Sequence, residues 1–173
     1  MESKVKLFGH PVHPMLIVFP VGLFVTAVLF DIIYLTTNNT TFATVSFFLI
    51  AVGVVGGLLA AVFGFIDWSA LPNDSRARNI GLWHGLGNFI IVVLFAASWL
   101  IRWGDPNYIP SALALTLSFL AGAMAFVTAW IGGELVYRLG VAVDPGANVN
   151  APSSLSTSSP ETTSGNTRTT AHR

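Results

Sequence analysis

From Met15 onward, long apolar runs alternate with short polar breaks. The runs are Met15–Leu35, Thr44–Ile66, Ile80–Ile101 and Ser111–Tyr137. A bilayer core about 30 Å thick needs roughly 20 apolar residues in a helical span, and each run meets that length. The pattern predicts an all-α fold, an integral membrane bundle of four transmembrane helices. Lys4 and Lys6 precede the first run as they would in a signal peptide, but the run is longer than an h-region and lacks a small-x-small cleavage site. It reads as a retained span. An entry segment with paired His-Pro dipeptides (1–14), a transmembrane domain (15–139) and a polar tail (140–173) complete the organisation. The tail, rich in Ser, Thr, Asn and Pro, holds too few apolar side chains to offset its ordering entropy. Disorder is expected there, with His172 a solvated residue within it.

Lys and Arg are retained preferentially on the cytoplasmic side. Lys4, Lys6, Arg76, Arg78 and Arg138 stand at one set of span ends, and only Arg102 at the other. Both termini are therefore expected in the cytoplasm. Trp68, Trp83, Trp130 and Tyr137 near the inner ends, with Tyr34, Trp99, Trp103 and Tyr108 near the outer ends, form the two aromatic belts this orientation requires.

Composition agrees with lipid as the solvent: 53% of the 173 residues are hydrophobic and 9% charged, against about a quarter charged in soluble domains. The net charge is zero, so a nucleic-acid partner has no electrostatic footprint. The lack of cysteine removes disulfides, thiolate metal sites, iron–sulfur clusters and thioether-bound haem.

Helices in lipid approach through small residues. Gly53, Gly57, Ala60, Gly64 and Asp67 make such a stripe on the second span; Gly81, His84, Gly85 and Asn88 on the third; Ala121, Ala125, Thr128, Ala129 and Gly132 on the fourth. A compact bundle follows, with a homo-oligomer interface as another use for one stripe. In the first span Pro14 suits the first helical position, and Pro20 obliges its neighbours to satisfy a freed carbonyl. The residue before a proline is pushed from helical geometry, which puts His10 and His13 in extended backbone, His13 at or beside the N-cap.

Depth along the spans sets His13, Asp67, His84 and Glu134 at one inner level, with Asn88 a turn deeper than His84. Ionisable groups inside spans are costly and mark function by default. Each also has a plain reading: His10 as a headgroup loop residue, His13 as an N-cap, Asp67 as a partner of Arg76 or Arg78, and Glu134 as an i,i+4 partner of Arg138. Asp31 and Arg102, near the outer face, read as an interfacial pair or as side chains snorkelling to water. Each half of the chain opens a helix with a histidine and closes the next with a carboxylate, His13 with Asp67 and His84 with Glu134. That echo suggests two parallel repeats about an axis along the membrane normal.

Taken together, "GHPVHPMLIVFPVGLF", "FGFIDW", "RARNIGLWHGLGN" and "GGELVYRLGVAV" resemble the bacterial membrane family of domain of unknown function 2231. The resemblance covers Phe8 to Asp144 and extends to "NAPSSL". It implies a small multi-span helical protein of the bacterial plasma (inner) membrane without an established activity. Some members are joined to redox-type domains, including c-type cytochrome modules, which implies redox partner proteins. The family's motif histidines fall on His10, His13 and His84, and a further histidine of some members is Leu139 here.

Three functions compete. In the first, the chain is a haem- or metal-binding redox-associated component. Haem b would use His13 and His84 as axial imidazoles, with His10 and Asn88 nearby. A divalent metal would use His13, His84, Asp67 and Glu134. The second is a structural or assembly subunit without cofactor. The third is a small transporter, against which stands a midplane nearly bare of polar groups. No nucleophile with its base, phosphate loop or paired catalytic carboxylates supports an enzyme.

Overall fold

The computed structural model describes residues 1–156, and the last part of the tail, including His172, lies outside them. Two short antiparallel strands, β1 (Lys6–Leu7) and β2 (His10–Pro11), open the chain. The two residues joining them, Phe8 and Gly9, both have positive φ (50° and 83°), the signature of a tight hairpin turn whose twist matches that of its strands. Glycine is required at the second position for a further reason, since a Cβ there would stand 2.8 Å from Ser154 Cβ.

Four helices follow: α1 (Val12–Thr37), α2 (Thr40–Ser69), α3 (Arg76–Arg102) and α4 (Ala112–Gly133). A five-residue π-turn, Glu134–Arg138, continues α4. All four spans are long and apolar enough to cross a membrane. Each exceeds its sequence-derived bounds at one end or both, because polar residues with helical propensity extend the turns into the interface. Asn39, Ser75 and Ser111 begin α2, α3 and α4 with side-chain oxygens accepting from the first-turn N–H groups. The start of α1 departs from expectation. Pro14 is third in the helix and His13 is helical rather than extended. The first-turn N–H groups have no partner inside the helix in any case, so proline is tolerated there, and the docking of His13 on α2 outweighs the pre-proline preference.

The hairpins α1–α2 and α3–α4 pack side by side, with α2 against α3 and a slighter contact of α1 with α4. Small residues admit large ones as expected. A Cβ on Gly53 would stand 2.6 Å from Phe24 Cε1, and one on Gly57 2.9 Å from Val92 Cγ2, while the Pro20 ring lies on Gly56. Phe24 of α1 stacks on Phe95 of α3 with centroids 4.1 Å apart and planes 3° from parallel, which joins the diagonal helices through the middle of the bundle. Large apolar side chains on the outside, Phe19, Phe65 and Phe126 among them, are exposed, as lipid-facing residues must be. In the third span Gly85 has nothing within 4 Å; Gly87, not part of the expected stripe, receives Thr128 instead.

Asp31 and Arg102 pair with each other as expected but do not reach water: both side chains are fully buried. Their two-pronged pair spans α1 and α3, with Nη1 to Oδ1 at 2.8 Å and Nη2 to Oδ2 at 2.7 Å. The remaining helices complete it, for Arg102 also donates to Ser46 of α2 (3.2 Å) and Ser118 of α4 (3.2 Å). Ser98 lies 3.4 Å from Arg102 Nε and in turn donates to the Ala114 carbonyl. Snorkelling gives way to pairing because the two side chains meet between α1 and α3 inside the bundle, where an isolated charge would be far costlier than a paired one.

Removing one partner, as in Asp31→Ala or Arg102→Ala, is expected to destabilise the folded bundle by about 3–5 kcal/mol. The paired replacement of Asp31 by Leu and Arg102 by Met should lose much less than the sum of the single changes. Reversible unfolding in detergent, read by circular dichroism, compares them.

Candidate functional site

The end of the bundle that carries His13 and His84 gathers the remaining polar groups. His13, in the first turn of α1, donates from Nδ1 to the Ala60 carbonyl of α2 at 2.9 Å. His84, two turns into α3, donates from Nδ1 to the Thr128 carbonyl of α4 at 3.0 Å. Each ring lies in a notch made by glycine: a Cβ on Gly64 would be 2.8 Å from His13 Cε1, and one on Gly132 2.9 Å from His84 Cε1. The two seats are alike in donor atom, acceptor and glycine.

The likeness extends along both hairpins. His13, Phe24 and Asp31 of α1 recur at identical separations as His84, Phe95 and Arg102 of α3, and Gly53, Ala60 and Gly64 of α2 recur as Ala121, Thr128 and Gly132 of α4. Matched members meet across the middle, Phe24 on Phe95 and Asp31 with Arg102. The steps along α1 and α3 are close to whole numbers of helical turns, so each histidine lies on the helix face that also carries the stacked ring and the ion-pair member. The two imidazoles thus stand at about one depth, each seated on the partner helix of its own hairpin.

With Nδ1–H committed to a carbonyl, the neutral ring carries its lone pair on Nε2. A histidine that ligates through one nitrogen usually donates from the other to a carbonyl or carboxylate, and both rings are tied in this way. Asn88 Nδ2 lies 3.4 Å from Nδ1 and 3.3 Å from Nε2 of His84, within hydrogen-bond reach of the second nitrogen. It also donates to the His84 carbonyl at 2.8 Å, and its Oδ1 accepts from Thr128 Oγ1 at 3.3 Å. Asn88 thereby braces α3 against α4 beneath the ring.

The other candidates are engaged elsewhere. Asp67 accepts from Ser3 Oγ (2.7 Å) and Lys4 N (2.9 Å), tying the entry segment to the end of α2 rather than pairing with Arg76 or Arg78. Glu134 faces Arg76 at 3.2 Å and Arg138 at 3.9 Å. Among the described residues no three His, Asp or Glu side chains converge as metal ligands. His10 is exposed on β2, its Nε2 3.3 Å from Ser154 Oγ. Arg78 stacks over Trp68 at 4.4 Å and donates to the Leu71 carbonyl, fixing the α2–α3 turn. Trp83 and Trp130 are exposed and do not wall the histidines.

Sequence reasoning missed the backbone acceptors Ala60 and Thr128, because a carbonyl leaves no residue-type signal. The matched separations in the two hairpins were the available clue.

Gly64→Ala and Gly132→Ala are each expected to cost about 1–3 kcal/mol through overpacking. Gly85→Ala, facing open space, should instead stabilise by about 1 kcal/mol from helix propensity. Nitrogen NMR of labelled histidine should show the Nδ1–H tautomer for both rings in the parent chain, and a loss of that signature at His13 or His84 in the matching glycine variant.

No curated protein and no solved structure matches the chain. A family described as "Predicted membrane protein (DUF2231)" matches residues 9–145. That match contains all four spans and both histidine seats, and the chain belongs to this family of predicted multi-pass membrane proteins.

Proposed function

We propose that the protein is a redox-associated membrane component that binds haem b at the cytoplasmic face, with His13 and His84 as axial ligands through Nε2. The observation that supports this reading is the pair of matched seats in which Nδ1–H is held by a carbonyl, which leaves the lone pair of each neutral ring on Nε2. A simple helix fastener needs one donor. A serine or threonine would supply it without a second ring nitrogen to satisfy. Haem would be held by these two imidazoles and would supply one-electron chemistry when bound. A bare divalent metal needs three or more ligands in its common protein sites, and the carboxylates that would complete such a set are bound elsewhere.

The chain's own residues do two things for such a ligand. The carbonyls of Ala60 and Thr128 fix each ring's tautomer and make its Nε2 more basic. Gly64 and Gly132 hold the rings against the partner helices, so little side-chain entropy remains to be lost on binding. A second reading, an assembly subunit whose histidines only join helices, is favoured by the same two hydrogen bonds, which already give each ring one partner.

Protein purified from haem-sufficient cells is expected to show a Soret band with haem near stoichiometric. His13→Ala with His84→Ala should abolish the band, while His10→Ala should leave it intact. A folded, colourless preparation that takes up no added haemin would leave the assembly reading in place.

A further inference from the structure

Beside the histidine seats, an open cleft of about 210 Å³ lies between the start of α3 and the end of α4, lined by Arg76, Ile80, Trp83, Trp130, Ile131 and Glu134. We propose that this cleft holds the headgroup of a phospholipid bearing both a phosphate and a primary ammonium, of the phosphatidylethanolamine type, its phosphate on Arg76 and its ammonium on Glu134.

Three observations support this occupant. The first is charge. Arg76 and Glu134 stand side by side, touching through one guanidinium nitrogen at 3.2 Å. The Arg76 side chain is 61% exposed and that of Glu134 22%, and the second carboxylate oxygen meets only Arg138, at 3.9 Å. An exposed pair of this kind contributes little, so both groups retain capacity for a ligand that presents opposite charges in the same order. Arg76 also opens α3, where the helix dipole favours a phosphate.

The second is position. Trp83 and Trp130 flank the cleft and are 65% and 70% exposed, the behaviour of indoles at the headgroup level of a bilayer. Ile80 and Ile131 continue the wall in apolar character, as an acyl chain requires.

The third is the other half of the bundle. The matching place, between the start of α1 and the end of α2, is bridged by the chain itself: Ser3 Oγ and Lys4 N bond Asp67, and Val12 N bonds the Val5 carbonyl. The carboxylate there has its N–H and O–H donors from the entry segment. At Glu134 no entry segment intervenes, and among the described residues the carboxylate meets only the side chains of Arg76 and Arg138, which leaves it open to an ammonium donor from the membrane.

The test is lipid retention by the full-length protein, read by native mass spectrometry after exchange into micelles with phosphatidylethanolamine, phosphatidylglycerol or phosphatidylcholine of one acyl composition. Retention of the ethanolamine lipid is expected to exceed the other two by about tenfold, the equivalent of one well-made charged contact. Glu134→Gln should remove the preference over phosphatidylglycerol, and Arg76→Gln should weaken all three. Both sites are at the surface; should Glu134→Gln fail to accumulate, Arg76→Gln still reads the phosphate contact. Brominated ethanolamine lipid should quench fluorescence in the parent and less so in a Trp83→Phe, Trp130→Phe variant. Equal retention of the three lipids, a preference that survives Glu134→Gln, or a dimer that shields Trp83 and Trp130 from the brominated lipid would each overturn the proposal.

Discussion

The bundle depends on the burial of one ion pair. Arg102 and Asp31 lie wholly out of solvent, where moving each charge from water costs several kcal/mol even after relaxation. That burial is tolerable only if the guanidinium and carboxylate are satisfied together, and their partners come from all four helices. A sliding of any helix by one turn would strand a charge or a hydroxyl. In lipid, where no hydrophobic force distinguishes one helix contact from another, such a group fixes the register that apolar packing alone leaves loose.

Once α1 and α3 are aligned at the ion pair, the levels above it follow from helical pitch. Phe24 and Phe95 meet as a parallel stack, and His13 and His84 arrive at a common depth near the far end of the bundle. The same separations in both hairpins make the molecule a quasi-symmetric pair of α-hairpins with the ion pair and the stack at its middle. Symmetry is kept where packing needs it, in the glycine notches and carbonyl acceptors. It is broken at the middle, where an acidic side chain faces a basic one, because two like charges could not be buried there together. It is broken again at the histidine end, where the entry segment covers one hairpin and leaves the other open.

This broken symmetry gives the two halves different work. The seats of His13 and His84 hold the imidazoles against their partner helices through one carbonyl and one glycine notch each. The cleft at Arg76 and Glu134 is open instead, flanked by exposed indoles. Glu134 lines that cleft, and Asp67 anchors the entry segment; the two carboxylates are engaged apart from the histidine seats.

Four spans, their approximate limits and the small-residue stripes were legible in the sequence, because bilayer thickness and the need to satisfy every backbone group within the segment act on each stretch by itself. The histidines were legible as candidates for the same local reason, the cost of ionisable residues inside a span. The full burial of the Asp31–Arg102 pair and its serine partners, which oxygen receives each imidazole N–H, and the diversion of Asp67 to Ser3 and Lys4 were decided only by the tertiary structure. These depend on the rotation and register of helices far apart in the chain, and a carbonyl acceptor or a buried serine hydroxyl has no distinguishing mark until another helix is brought against it.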